Sequence, residues 1–202
     1  IAVTNALGQI TRHNYDGVGR RRSAIDALNR TTAFDYDAND NLLTVTDALG
    51  KVITHTYDAN DNRDSTRDRL GRLTQFAYDE KDLLTTATDA LGNTVVNGYD
   101  ALDRRTSVTD KRSNSTLYDY DALGRLVKTI DALGRASTFS YDPNGNLLSA
   151  TDPLGHVTSF AYDALDRRVL SRDALGNTTW TTYDALGRVT ATKDAKGRTT
   201  SL

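Results

Sequence analysis

Residues Tyr120–Arg125 read YDALGR, and the same six letters return at Tyr183–Arg188. YDALD stands at Tyr99 and Tyr162, and YDAND at Tyr36 and Tyr57. The phrase belongs to a strict period. Tyr15, Tyr36, Tyr57, Tyr78, Tyr99, Tyr120, Tyr141, Tyr162 and Tyr183 follow one another at a single constant interval, with no insertion or deletion, and each precedes an Asp. Midway through each interval comes a second Asp, as at Asp26, Asp47, Asp68, Asp89, Asp110 and Asp131. The unit is therefore two nearly equal halves, each opened by Asp, and residues 1–202 read as one array of nine in-register repeats.

Three residues after each opening Asp stands Gly, Asn, Asp or, once, Ser113; Gly50, Gly124 and Gly134 are examples. Gly, Asn and Asp are the residues that tolerate the left-handed backbone region, so the column is a conformational demand that Ser113 fits poorly. Asp at the first position of a β-turn accepts a hydrogen bond from the N–H two residues on, and a left-handed fourth residue lets the chain leave as a bulged hairpin. Pro143 and Pro153 each follow a turn Asp directly, where a fixed φ suits a type I turn. Between turns lie six or seven residues rich in Thr, Val, Leu and aromatics, as in RLVKTI (125–130) and RASTFSY (135–141). Length and composition suit strands, and helical spacing is never sustained. The expected fold is all-β: tandem 21-residue hairpins in one continuous coiled antiparallel sheet of roughly eighteen strands, wound as a spiral shell or tube because neighbouring strands twist.

Two places before each repeat Tyr the column reads His13, Phe34, His55, Phe76, Asn97, Tyr118, Phe139, Phe160 and Thr181. Residues two apart share a strand face, so this face is expected to present ring beside ring, and the other face Thr, Ser, Arg and Lys to water. Leu43, Val45, Val108, Val127, Leu148 and Val169 add a weaker apolar stripe. The Leu of each DAL turn, such as Leu49, Leu123 or Leu175, is expected to fold under its own hairpin.

The chemistry-bearing residues point away from catalysis. Of 26 Asp, eighteen open turns and five occupy the left-handed site, leaving Asp35, Asp64 and Asp119; Glu80 is the one Glu. An acid–base pair repeated nine times is unlike a single active site. DANDN at 37–41 and 58–62 begins like a calcium loop but lacks the Gly at loop position 6 and the Glu at position 12, so it reads as a turn. His13 and His55 stand in the ring column and His156 follows a turn Gly; without Cys, zinc has little support. No P-loop, dinucleotide fingerprint or Ser-His-Asp arrangement is readable, and no cofactor is expected. Arg outnumbers Lys 19 to 6 and often follows the turn Gly, where cross-strand pairing with Asp is its expected role. The run Arg20-Arg21-Arg22 offers an anion site as the alternative. Asn29, Asn114 and Asn177 open N-x-S/T sequons, of the kind expected by chance in so Asn- and Thr-rich a chain.

A net charge of −2 gives no electrostatic reason to expect nucleic acid as partner. No apolar run approaches the roughly 20 residues of a spanning helix, and no membrane insertion is expected. The chain contains no Met, so Ile1 reads as no translation start and the chain as a section of a longer polypeptide.

The recurring YDxxGR and DxxGN/R over 21-residue units resembles the YD repeat of the Rhs (rearrangement hot spot) family along almost the whole chain. The resemblance implies a large secreted or surface-delivered protein, as in polymorphic toxins, insecticidal toxin-complex components, wall-associated proteins and teneurins, whose repeats wind into a hollow shell that in the toxins encloses a C-terminal effector. It brings no catalytic site; the repeat Tyr and turn residues named above (Asp47, Asp121, Asp131, Gly50, Gly124 and Gly134 among them) are its structural consensus. The toxin shells' aspartyl self-cleavage site and variable toxin are not seen here, and the unvarying period favours a regular tube or fibre. Expected partners are neighbouring repeats and identical chains. A cell-surface glycan gripped by the ring and Asn/Asp loops is the alternative reading.

Overall fold

The structure, a computed structural model, describes all 202 residues. It has no helix; its twenty strands belong to one antiparallel sheet. Six-residue strands that end on the repeat Tyr, such as Thr31–Tyr36 and Ala136–Tyr141, alternate with five-residue return strands such as Leu42–Thr46 and Leu126–Ile130. Strands beyond the roughly eighteen expected come from the short ones at either end, Ala2–Thr4 and Thr199–Ser201. The turn behind Ala2–Thr4 escapes a search for Asp because Asn5 takes that place. Its amide group has a carboxylate-like oxygen, Oδ1, which accepts from the N–H groups of Leu7 and Gln9 at 3.0 Å each.

The chain divides into two compact units, residues 1–97 with 110–112 and residues 98–109 with 113–202. In the first, strands from Ala2–Thr4 to Leu84–Thr88, together with the start of Thr94–Tyr99, pair with their chain neighbours. In the second, Arg105–Thr109 through Thr199–Ser201 do the same. Both use one turn design. At Asp121 the Gly124 N–H donates to the Asp carbonyl at 3.0 Å and the Asp121 N–H to the Arg125 carbonyl at 2.9 Å, which closes the hairpin. Gly124 has φ +80°, and the same left-handed backbone is held by Asp40, Asp61, Asp82, Asp103, Asp166, Asn29 and Ser113.

A second bulge is not announced by the spacing. Across eight Tyr-Asp hairpins the register slips next to the Tyr: Asp35 faces Thr44 while Tyr36 faces Leu42, so Leu43 is extra. Asp119 and Tyr120 repeat this against Lys128 and Leu126. On its other side the return strand pairs with the next repeat over three residues only, Thr44–Thr46 with Val52–Thr54. The ladder thus stops short of the Tyr end, and something other than backbone pairing must hold neighbouring repeats together there.

No residue is fully buried. Within each unit, therefore, neither face of the sheet is covered by a second layer. Two expectations are corrected here. The turn leucines do not fold under their hairpins: at the third turn position they are 69–88% exposed, since an i+2 side chain in a type I turn points away from the strands. Nor do rings of the column touch one another. A period is two strands, about 9.6 Å, and between the rings stand return-strand residues, as Val45 faces Phe34 and Ala87 faces Phe76. The opposite face is polar, with Asn14 donating to Ser23 at 2.9 Å and Ser140 against Ser149 at 2.7 Å.

Candidate functional site

The repeated residues converge on the Tyr-Asp edge. The turn Asp comes first because it orders the rest. Asp121 Oδ1 accepts from the N–H groups of Leu123 and Arg125, both at 2.9 Å, while Oδ2 accepts from Arg125 Nε at 2.7 Å. One carboxylate thereby satisfies two backbone donors and fixes the side chain that follows. The Arg125 N–H, desolvation notwithstanding, and then its guanidinium hold the Asp121 carboxyl below the usual carboxylate range. Asp131 is lowered likewise, first by the Arg135 guanidinium, and Asp47 accepts from Leu49 and Lys51, both at 2.9 Å.

Held this way, Arg125 reaches the next repeat. Its Nη1 donates to the Asp142 carbonyl at 2.7 Å, and its guanidinium lies 4.9 Å from the Tyr141 ring centre. Arg104 does the same to Asp121 and Tyr120, Arg167 to Asp184 and Tyr183, and Arg20 to Asp37 and Tyr36. Where Asn replaces Arg the tie changes. Asn39 and Asn41 both donate to Asp61 Oδ1, at 2.9 and 2.6 Å; Asn60 and Asn62 engage Asp82, and Asn144 and Asn146 engage Asp166. Of the DANDN carboxylates, Asp61 is thus taken up by amides of the preceding repeat and Asp40 by Arg20, while Asp37 and Asp58 accept within their own turns.

The Tyr hydroxyl closes the gap that the short ladder leaves. Tyr141 donates to the Leu126 carbonyl at 2.8 Å, fifteen residues earlier and at the bulge of the preceding return strand. Tyr36 to Arg21, Tyr57 to Leu42, Tyr78 to Arg63, Tyr120 to Arg105, Tyr162 to Leu147 and Tyr183 to Arg168 complete the series, at 2.9–3.1 Å. Tyr99 also ends its strand, and Tyr15 is 44% exposed with no residue fifteen places before it in this chain.

Most of the remaining candidates are occupied in the same way, His13 with its buried, unpartnered Nδ1 being the exception. Arg20, Arg21 and Arg22 do not form an open anion site: Arg20 pairs with Asp16 and Asp40, Arg21 lies over Phe34 at 4.4 Å, and Arg22 pairs with Asp35. Asp35 also accepts from Thr44, Asp64 accepts from Thr56, and Asp119 faces Lys128. His156 bonds to its own turn Asp152 at 2.8 Å. His55 Nδ1 meets Thr66 Oγ1 at 2.9 Å, and burial with Arg63 nearby lowers its imidazole pKa. Rings of the column lie under guanidinium groups: Arg63 over Phe76 at 5.1 Å, Arg105 over Tyr118 at 5.2 Å and Arg168 over Phe160 at 5.4 Å. The reach of Arg and of the Tyr hydroxyl into the next repeat escapes sequence reading. Its signal is the pair of constant sequence offsets between partners, one for the Tyr hydroxyl bonds and another for the Arg-to-carbonyl bonds that reach the next repeat.

An edge whose repeated Tyr, Asp and Arg groups bond to the chain's own backbone and turn side chains is that of a structural repeat protein. The chain belongs to the RHS repeat family: the pattern described as RHS Repeat matches residues 36–68, 65–94, 99–136, 141–178 and 168–199. No curated protein matches the chain. Among solved structures, the Photorhabdus luminescens Tc holotoxin pore is similar at 14% identity over 100% of this chain and 15% of that one, with a TM-score of 0.61. TcdB2-TccC3 is similar at 15% identity over 98% of this chain and 14% of that one (TM-score 0.58), and TcdB2-TccC3-Cdc42 at 15% identity, with the same coverage, at 0.57. These likenesses show the fold. The chain spans about 14–15% of the length of those proteins.

Proposed function

We propose that residues 1–202 are one repeat array serving as a non-catalytic wall segment of a larger secreted or cell-surface protein, with the repeat Tyr, the turn Asp and the left-handed Gly as its structural consensus. The observation that carries the reading is the Tyr hydroxyl bond to the preceding repeat, made by seven of the nine repeat tyrosines at one fixed offset. A catalytic or ligand-binding group must be free to meet its substrate; these are committed to neighbouring turns. A wall that encloses a cargo is the arrangement that the resemblance to Rhs toxin shells implies, and the shared fold agrees with it. In that setting the polar face of Ser, Thr and Asn would line hydrated space, and the array would extend by pairing further repeats of its own kind.

Electron microscopy of the full-length polypeptide tests this. A hollow shell or tube with the repeat strands in its wall is expected. Repeats found packed around a substrate pocket, or hydrolytic activity of the 202-residue segment abolished by one substitution outside the turns, would contradict it.

A further inference from the structure

Four arginines stand apart from the ion pairs of the turns. Arg20, Arg104, Arg125 and Arg167 pair with their turn Asp, and their side chains are only 25–27% exposed. Arg21, Arg63, Arg105 and Arg168, each opening a return strand, are exposed, and their guanidinium groups make no ion pair. Each lies instead over a ring of the column, as Arg21 over Phe34 at 4.4 Å and Arg63 over Phe76 at 5.1 Å. Arg168 turns back onto Phe160, because Thr181 offers no ring in the next repeat. Leu42, Leu84, Leu126 and Leu147 occupy the same column, so neither the strand nor the ring requires a cation there. The face they stand on holds nothing to neutralise them. Its columns, four and two places before each repeat Tyr and six and nine places after it, contain no Asp or Glu. The imbalance is felt locally: burial and then the nearby Arg63 lower the His55 imidazole pKa.

We propose that the ring face of the first unit docks an acidic, partly apolar polypeptide segment, whose carboxylates meet Arg21 and Arg63 while its apolar side chains lie on the residues between them. Arg21 acts here apart from Arg20 and Arg22, which pair with Asp. A guanidinium lying on a ring keeps its N–H edge open, and that fork of donors matches a carboxylate. The two arginines are four strands, or about 19 Å, apart. Between them Val45 faces Phe34 on one side and Ile53 on the other, an aliphatic strip flanked by cations. Charge complementarity fixes the sign of the visitor, and the strip fixes its kind. A single-stranded nucleic acid needs closely tracking cations and open ring faces for its bases; here the cations are far apart and themselves cover the rings. The covered rings equally deny a sugar its stacking platform. The proposal goes beyond the wall reading and stands whether or not the array encloses a cargo.

Fluorescence anisotropy with the 202-residue chain tests it. The probe is a fluorescein-labelled peptide of repeated Glu-Leu-Ser-Gly units, long enough to span both arginines. The wild type is expected to bind it more tightly than the matching Lys-Leu-Ser-Gly peptide, oligothymidylate or heparin. R21L/R63L is expected to weaken binding roughly tenfold, the loss of two exposed ion pairs, with an unchanged β-type circular dichroism spectrum, because Leu stands natively in this column at Leu42 and Leu84. R12Q/R67T removes the same charge from the opposite face, where Gln75 and Thr88 stand natively in the same columns, and should bind like the wild type. No binding by the wild type, equal binding of the Lys peptide, tighter binding of heparin or oligothymidylate, or equal losses in the two double variants would overturn the proposal. Should R21L/R63L fail to fold, the single R63L, expected to weaken binding severalfold, keeps the test; full affinity in it would overturn the proposal as well.

Discussion

At the scale of single residues the left-handed turn position separates two roles. Ser113 holds φ +63° with a side chain that gains nothing from that backbone, so Ser113→Gly should raise stability by roughly 0.5–1 kcal/mol. Asp61 holds φ +64° but accepts from Asn39 and Asn41. In Asp61→Gly the backbone relief is offset by two lost hydrogen bonds, and urea unfolding should show no gain; equal stabilisation of both variants would remove the Asn–Asp tie from the account. The turn carboxylates also set an acid limit. Asp16, Asp100, Asp121, Asp131 and Asp163 all titrate below the ordinary 3.8 in the folded chain, chiefly through the Arg four residues on. The unfolded chain therefore binds more protons in that range. Their contribution is complete above about pH 4 and fades as the pH falls through the lowered values. The urea midpoint should hold from pH 7 to about 5 on their account and drop below 4; a midpoint unchanged to pH 2 would contradict the assignment.

At the scale of the hairpin, turns and strands are legible in the sequence because their requirements are local: Asp, a left-handed residue and a short β-prone run all lie within one half-unit. What reaches between hairpins is less legible. Arg125 reads as a partner for a nearby Asp, which it is, but it is also tied to Asp142 and Tyr141 of the next repeat. The turn leucines mislead because apolar character suggests burial, while a single-layer sheet offers nothing to bury them under. The Tyr-side bulge is hidden because strand propensity carries no information about register. Arg125→Ala should cost about 1–2 kcal/mol by removing the ring contact and the carbonyl bond. Arg125→Lys should recover only part of it, since an ammonium cannot serve Asp121, the Asp142 carbonyl and the Tyr141 face together. Full recovery by Lys, read from chemical denaturation, would show that charge alone matters.

At the scale of the whole molecule, stability is a sum of small equal contributions instead of one deep core, as the lack of any fully buried residue requires. Removing one period, residues 121–141, joins Tyr120 to Asp142 and restores the Tyr-Asp phrase. The shortened chain should keep its β spectrum and unfold at a modestly lower urea concentration; collapse of all β structure would point to a single indivisible core. The central claim is that repeats are tied by the hydroxyl of the repeat Tyr, and two neighbouring tyrosines test it. Tyr141 donates to the Leu126 carbonyl, whereas Tyr118, in the ring column, makes a ring contact with Arg105 and its hydroxyl has no partner in the chain. Denaturant unfolding of Tyr141→Phe and Tyr118→Phe isolates the hydroxyl in each. The account predicts a loss of about 1 kcal/mol for Tyr141→Phe and little change for Tyr118→Phe; equal effects, or none in Tyr141→Phe, would contradict it.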